Sequence, residues 1–527
     1  MGREQSDDRV VPEGRRKASP TDGSRGGKAV TASEQAKQFG LFDETAENPK
    51  GASRRLTSGP PDARPPKVPK SSKGKSTALP PMTMETIADE ETLKQAIRKV
   101  ASNRGAPGPD RQSVEEAVRL QKQWLPKLQQ QLLEGTYHPG DIRRVWIPKA
   151  NGKQRGLGIP NVIDRVVQQA VCSVLSPNYE ETFHDSSHGF RPRRSCHTAI
   201  KEATRHLEEG YKWVVDLDLE KFFDRVHHDR LIDRLALRID DRRVLTLIRR
   251  MLRAKVIMPE GTELRTTEGT PQGGPLSPLL SNIVLDELDQ ELSRRGHRFV
   301  RYADDANIFV KSERAGERVK ESITRYIHKR LRLKVNVEKS ATAKPETRSF
   351  LGITLKPDPK TGKAEVILSK KARERIRSKI KELTPRNWGR SLSNCIDRLN
   401  QYLRGWLGYF AICMGTSGNL ELENETFHRL DAYIRRRLRA IQLSHWKTRR
   451  GVVRHLIGLG VPSHIAHWDV FGGRRKWWSL TRVRAVRWGM RNSYFEKQGL
   501  FSLENNWEKH HNRIWDIGPK QLELPMG

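Results

Sequence analysis

Apolar residues recur at helical spacing from about residue 85 to 135, as in Leu93, Ile97 and Val100 and then Val118, Leu125, Leu128 and Leu132, which predicts helices packed through one face. The period then drops to two. Arg144-Val145-Trp146-Ile147-Pro148 and Gly156-Leu157-Gly158-Ile159-Pro160 alternate on either side of Asn151-Gly152, the pattern of a hairpin with a tight turn. A helix is expected over about 162–175, a short buried-type strand at Val214-Val215-Asp216-Leu217-Asp218-Leu219, and a helix from about 229. Phe299 to Val310 reads as two strands joined at Asp304-Asp305. A helix near 314–331, a strand near 333–337 and a hairpin near 349–367 follow, and beyond about 370 the pattern is helical and strongly basic. Strands and helices in this order give an α+β layout.

Composition divides the chain. Residues 1–85 are rich in Gly, Pro, Ser and charge and poor in large apolar side chains, so they are expected to form a disordered leader. The whole chain of 527 residues carries 98 Lys+Arg against 63 Asp+Glu, a formal charge of +35. Residues 1–90 hold 16 Lys+Arg and 13 Asp+Glu, net +3, which leaves +32 on residues 91–527. The folded body itself therefore carries the positive field, and a polyanionic partner is its natural explanation. No run of 18 or more apolar residues is present, which excludes a helical membrane span. The location expected is cytoplasmic, of bacterial type, in association with RNA or the nucleoid. Cys172, Cys196, Cys395 and Cys413 are scattered without a C-x-x-C pair, so no structural zinc site is expected.

The candidate chemistry lies in the acids. Phosphoryl transfer assisted by two metal ions needs carboxylates that converge on ions about 3.5–4 Å apart, and hard oxygen ligands on strand ends suit Mg²⁺. Asp218 ends one short strand and Asp304-Asp305 sits at the tip of a hairpin; if the strands are neighbours, the three carboxylates meet at the sheet's rim. An Asp-Asp pair alone is ordinarily a solvated turn, and only the surrounding motifs raise it above that reading.

Tyr302-Ala303-Asp304-Asp305, together with Asp218-Leu219-Glu220-Lys221-Phe222-Phe223-Asp224 upstream, resembles the palm motifs of reverse transcriptases. Between them, Gly269-Thr270-Pro271-Gln272-Gly273-Gly274-Pro275 resembles the segment that lies against template and nucleotide in that family. His188-Gly189-Phe190-Arg191-Pro192, Gly156 to Pro160, and Leu399-Asn400-Gln401-Tyr402-Leu403-Arg404-Gly405-Trp406 are similar to group II intron reverse transcriptase/maturases rather than to retroviral enzymes. The resemblance runs from about 90 to about 450.

It implies a right-hand polymerase, with fingers and palm on a mixed, mainly antiparallel sheet over 86–365. An α-helical thumb or maturase domain would follow over 366–450. Beyond the resemblance, cations interleaved with tryptophans from Arg474-Arg475-Lys476-Trp477-Trp478 to Arg487-Trp488 make 451–527 a candidate basic, Trp-rich nucleic-acid-binding segment. Asp218, Asp304, Asp305 and Lys339 would be catalytic, and two Mg²⁺ ions would be held at Asp218, Leu219, Asp304 and Asp305. Lys149, Arg155, Phe223 and Gln272 would bind the nucleotide, with the Phe223 ring crowding a 2′-hydroxyl so that deoxynucleotides are favoured. Phe350-Leu351-Gly352 matches the primer-grip hairpin. Arg404, Arg435, Arg436, Arg437 and Arg439 would contact RNA.

The expected activity is RNA-directed DNA polymerisation, joined to binding of the chain's own intron RNA to promote splicing and, for a mobile intron, retrohoming. The expected partners are intron RNA, an RNA template with a DNA primer, deoxynucleoside triphosphates and target DNA, with no membrane partner. Many relatives end in a Cys/His endonuclease domain, whereas no cysteine follows Cys413 here. Cleavage of the DNA target by this chain is therefore not expected, and a primer would come from elsewhere, such as a replication fork. Two alternatives stand beside this reading: a non-enzymatic RNA-binding maturase with a vestigial palm, and a reverse transcriptase recruited to phage defence.

Overall fold

The computed structural model of the protein describes residues 79–148, 152, 154–358, 362–413, 420–473 and 476–516. Residues 1–78 of the expected leader, Lys149, Asn151 and Arg474-Arg475 lie outside the described residues.

Ten strands are described: β1 Ile142–Pro148, β2 Gln154–Ile159, β3 Trp213–Asp218, β4 Val256–Ile257, β5 Glu263–Leu264, β6 Arg298–Tyr302, β7 Asp305–Val310, β8 Ala341–Ala343, β9 Ile353–Pro357 and β10 Ala364–Leu368. They form a fingers sheet ordered β2-β1-β4-β5, a palm sheet ordered β6-β7-β3-β8, and the separate β9–β10 hairpin. Every pairing is antiparallel except β1 with β4, which is the mixed, mainly antiparallel α+β architecture expected.

β3 has no free edge because it lies centrally between β7 and β8. Val214, Val215 and Leu217 are all buried, but alternation sends them to different layers. Val215 and Leu217 join the core built with the fingers helices, while Val214 joins the core shared with the thumb. On the first side the helices Val162–Glu180 and Ser277–Arg294 supply much of the cover. The helix expected over 162–175 thus runs on to Glu180, because Val174, Leu175 and Tyr179 continue the buried stripe.

One predicted element does not form. The strand expected near 333–337 reduces to a single bridge between Val335 and Leu219. The expected helix near 314–331 is helical over Glu313–Tyr326 and closes in a wider turn over Ile327–Leu331. Beyond β10 the chain is helical, including Lys370–Leu383, Leu392–Phe410, Leu420–His445 and Arg449–Gly458. The second core runs without a break from the β9–β10 hairpin to Trp507, so packing continues across the boundary expected at 450/451, which falls within the helix Arg449–Gly458. Among the described residues, no helix is long and apolar enough to cross a membrane.

Candidate active site

The β3–β7 register sets the acidic centre. Asp218 stands directly opposite Asp305, and Asp216 opposite Asn307. Residues opposite each other in an antiparallel pair have Cα atoms about 4.5–5.5 Å apart and share a face, and Asp216 shares that face with Asp218 by the two-residue period. Tyr302 pairs with Asp305 across β6–β7, leaving Ala303 and Asp304 as the two central residues of the turn. The three acids singled out from the sequence are therefore gathered at one end of the central strands.

Their electrostatics follow from this crowding. The Asp305 carboxyl is pushed up to about 7, first by desolvation from the surrounding protein and then by the carboxylates of Asp304, Asp218 and Asp216. Its residue is still exposed to solvent. Burial also raises Asp304, against the opposing pull of Arg155. Lys339 Nζ lies 3.1 Å from Asp218 Oδ2, bringing the predicted Lys onto the predicted metal ligand. One pleat back, Arg348 donates from Nε to Asp216 Oδ2 at 2.9 Å, and its other end donates to the Lys339 carbonyl. Arg348 was not singled out from the sequence; 132 residues separate it from Asp216, and nothing local marks the pairing.

A divalent cation fits this donor set. Four carboxylates share one rim, one of them is raised first by desolvation and then by the other three, and an ammonium already pairs with Asp218. Among the described residues, no group of three or more His, Cys, Asp or Glu side chains is close enough to hold an ion by itself, so substrate oxygens would have to complete any coordination shell, as is usual for Mg²⁺ with phosphates. The Leu219 side chain is in the core, which leaves its main-chain carbonyl as the group able to serve.

The nucleotide-side residues also converge. Arg155 Nε donates to Gln272 Oε1 at 2.8 Å, and Gly158 N donates to the Gln272 carbonyl at 2.7 Å, so the fingers hairpin rests on the 269–275 loop. Gly273 has φ +130°, and a Cβ there would lie 2.4 Å from the Gly158 oxygen; only glycine allows this approach. The same loop lies on the turn after β3, where Thr270 N donates to the Phe223 carbonyl at 2.6 Å. Phe223 is half-buried, packs edge-on to Phe222 at 5.2 Å and touches the fingers-side core, so it has a packing role whatever else it does. Lys149 lies outside the described residues.

Two further motifs of the resemblance are held by side-chain hydrogen bonds. In His188-Gly189-Phe190-Arg191-Pro192, His188 is buried against Glu202 and Thr198, and Arg191 against Glu180 and the His184 and Ser187 carbonyls. In the primer-grip turn, Leu351 and Gly352 have φ +51° and +80°. Tyr409 Oη donates to the Leu351 carbonyl at 2.8 Å, which ties the thumb helix to that turn.

The arginines expected to contact RNA divide. Arg404 is exposed, with its guanidinium 5.6 Å from the Phe501 ring, and Arg435 is half-buried. Arg437 is 5% exposed and donates to the Thr384 hydroxyl at 2.9 Å and to the Thr384 carbonyl; it is an interior residue, a correction to its reading as an RNA contact. Arg436 stacks 3.9 Å from the Trp478 ring centre, and Arg439 donates to the Met490 carbonyl at 2.8 Å, so both are committed largely to packing. The cause is helical geometry: five consecutive positions cannot share one face at 100° per residue.

Residues 147–355 match the family model of the reverse transcriptase (RNA-dependent DNA polymerase), and residues 373–457 match the group II intron maturase-specific domain. The chain is 36% identical over 298 residues to Protein YkfC of Escherichia coli (strain K12), covering 49% of this chain and 78% of that protein. It is 33% identical over 299 residues to the group II intron-encoded protein LtrA of Lactococcus lactis subsp. cremoris, covering 44% of this chain and about half, 49%, of LtrA. A putative COX1/OXI3 intron 1 protein of Saccharomyces cerevisiae is 34% identical over 209 residues, 40% of this chain and 25% of that protein.

Proposed function

The chain belongs to the group II intron reverse transcriptase/maturase family, and on that premise we propose that it copies RNA into DNA at the Asp218–Asp304–Asp305 centre and binds its own intron RNA to promote splicing. The observation that carries the reading is the register that sets Asp218 against Asp305, with Arg155 and Gln272 joined above the same turn.

In this proposal Asp218, Asp304 and Asp305, with the Leu219 carbonyl and substrate oxygens, would hold two Mg²⁺ ions, which would supply activation of a primer 3′-hydroxyl and neutralisation of charge on the departing pyrophosphate. Arg155 offers its planar fork to triphosphate oxygens, and Gln272 fixes the nucleotide from the side. The Phe223 ring narrows the space beside the sugar, favouring deoxynucleotides. Lys339, beside Asp218, is placed to give a proton to pyrophosphate. Lys149 is assigned to the triphosphate from its motif alone. Solvent-accessible cations of the helical half, among them the exposed Arg404 and the half-buried Arg435, would carry intron RNA; target DNA and retrohoming belong to the same proposal.

The test is extension of a DNA primer on an RNA template by the purified full-length chain with Mg²⁺. Asp304→Ala should stop extension while melting temperature and intron splicing persist. Equal extension by that variant refutes the metal assignment, and loss of splicing in a folded variant refutes separate polymerase and maturase surfaces.

A further inference from the structure

Beneath the catalytic turn lies a fully buried ion pair. Arg301 on β6 is 1% exposed and Asp289, on the helix Ser277–Arg294, is 0% exposed. The guanidinium has five N–H donors, and each has an acceptor. Nε donates to Asp289 Oδ1 at 2.7 Å, while Nη2 donates to Asp289 Oδ2 and to Ser187 Oγ at 2.7 Å. Nη1 donates to Asn282 Oδ1 at 3.1 Å and to the Ala303 carbonyl at 2.8 Å. The last bond ends on the residue just before Asp304.

Ala303 needs such a partner. Its φ is +56°, in the left-handed region that costs a non-glycine residue about 1 kcal/mol, and alanine has no side-chain group with which to hold itself there. It is pinned on its other side as well. The segment before Gly189 pairs with β6, His188 N donating to the Arg301 carbonyl and Arg301 N to the Ser186 carbonyl, both at 2.8 Å. Gly189 then passes so close that a Cβ on it would lie 2.3 Å from Ala303 N. Asn282 closes the arrangement by donating to the Gly189 carbonyl at 2.8 Å. A buried ion pair is a poor way to gain stability, since apolar residues of similar volume often serve as well or better. Its five-point geometry instead specifies one position for the Ala303 carbonyl.

We propose that Arg301, locked by Asp289, is the positioning residue for the metal-binding turn: it fixes the Ala303 carbonyl, holds Ala303 left-handed and so aims the Asp304 and Asp305 carboxylates. The inference rests on the polymerase reading above for its consequence in catalysis, but not for its structural content.

Arg301→Lys tests it, because an ammonium keeps the charge and loses the fork. In metal-free, full-length protein, hydrogen exchange at the Ala303, Asp304 and Asp305 amides should rise about tenfold or more while the helix Ser277–Arg294 keeps its protection. In primer extension, kcat should fall about a hundredfold, as expected for reacting groups misplaced by about 1 Å. KM for the deoxynucleotide should stay within about twofold, since the lost interaction acts on the chemical step.

The paired variant Arg301→Met with Asp289→Leu removes both charges, keeps the interior neutral and still leaves the Ala303 carbonyl without its donor. It should melt near the wild-type temperature and show the same faster exchange and lower kcat; if the lysine variant does not fold, this pair decides. Wild-type exchange and kcat in the paired variant would overturn the proposal, reducing Arg301 to a packing element. A wild-type protein that extends no primer would instead refute the polymerase reading, while the exchange comparison would still decide the brace.

Discussion

The palm turn and the arginine-rich helix Leu420–His445 both announce themselves in the sequence by runs of charge, yet the fold treats them in opposite ways. Asp304 and Asp305 stay at the rim, Asp305 directly opposite Asp218. Of the arginines at 435, 436, 437 and 439, one is interior and two are held by Trp478 and the Met490 carbonyl. In the palm, strand pairing concentrates like charges on one face, at a cost that a cation relieves. On the helix, the 3.6-residue period spreads them, and the long apolar stem of arginine lets some enter the core while the guanidinium finds carbonyls and rings. Clustered charge therefore points to function where the backbone period aligns it, and to mixed roles where the period disperses it.

This contrast can be broken most directly at the acids. Asp218→Asn and Asp305→Asn should each lower primer extension by about a thousandfold, at the top of the range for removing one preorganised electrostatic group, with the far-ultraviolet circular dichroism unchanged. Retained activity in either would mean that the shared face does not make a shared site.

The next largest effect concerns the dispersed cations acting together. Affinity for intron RNA should drop about a thousandfold between 50 and 200 mM salt if about six phosphates are contacted. Filter binding across that range should show Arg404→Ala and Arg435→Ala each lowering the log–log slope by about one, and Arg437→Ala leaving it unchanged.

A geometric prediction comes third. Gly273→Ala places a methyl group 2.4 Å from the Gly158 oxygen at φ +130°, so the loop must leave the fingers hairpin. Steady-state kinetics should show KM for the deoxynucleotide rising about tenfold or more, on the scale of a lost hydrogen bond to a charged group, with less change in kcat.

Arg437→Ala sharpens the other side of the comparison. It removes the bonds to Thr384 and leaves a buried gap, so denaturant unfolding should show a loss of roughly 3 kcal/mol, in contrast to Arg404→Ala, which should cost little.

The smallest effect is a dependence on pH. Asp305 is raised from 3.8 to about 7 in the folded chain, so between those values the folded state holds a proton that the unfolded chain has released. Its contribution to stability therefore falls as pH rises through that window. In metal-free buffer the melting temperature should carry this downward component, Mg²⁺ should restore more of it at pH 8 than at pH 6, and Asp305→Asn should remove both trends.

Much of the site is legible in the chain's local patterns. Asp218, Asp304, Asp305 and Arg155 sit in short motifs whose flanks read as strands and Gln272 in a Gly/Pro loop, and the fold sets Asp218 opposite Asp305 and Arg155 against Gln272. The brace beneath them is not legible in that way. Arg301 looks like one more cation in a chain with 98 of them, and Asp289 lies within the helix Ser277–Arg294 among residues that read as amphipathic pattern. The strand expected near 333–337 fails for a related reason: Leu333 and Val335 pack against the core, Val337 is exposed, and only Val335 finds a backbone partner, at Leu219.

The sequence by itself determined the order of elements, the α+β class and the acidic motifs, because periodicity and turn chemistry act over a few residues. Only the tertiary structure decided which arginines face water, which carboxylates share a face and which ion pair holds the turn. Burial and strand register join residues such as Ser187 and Arg301, 114 positions apart, and no local pattern encodes a contact at that separation.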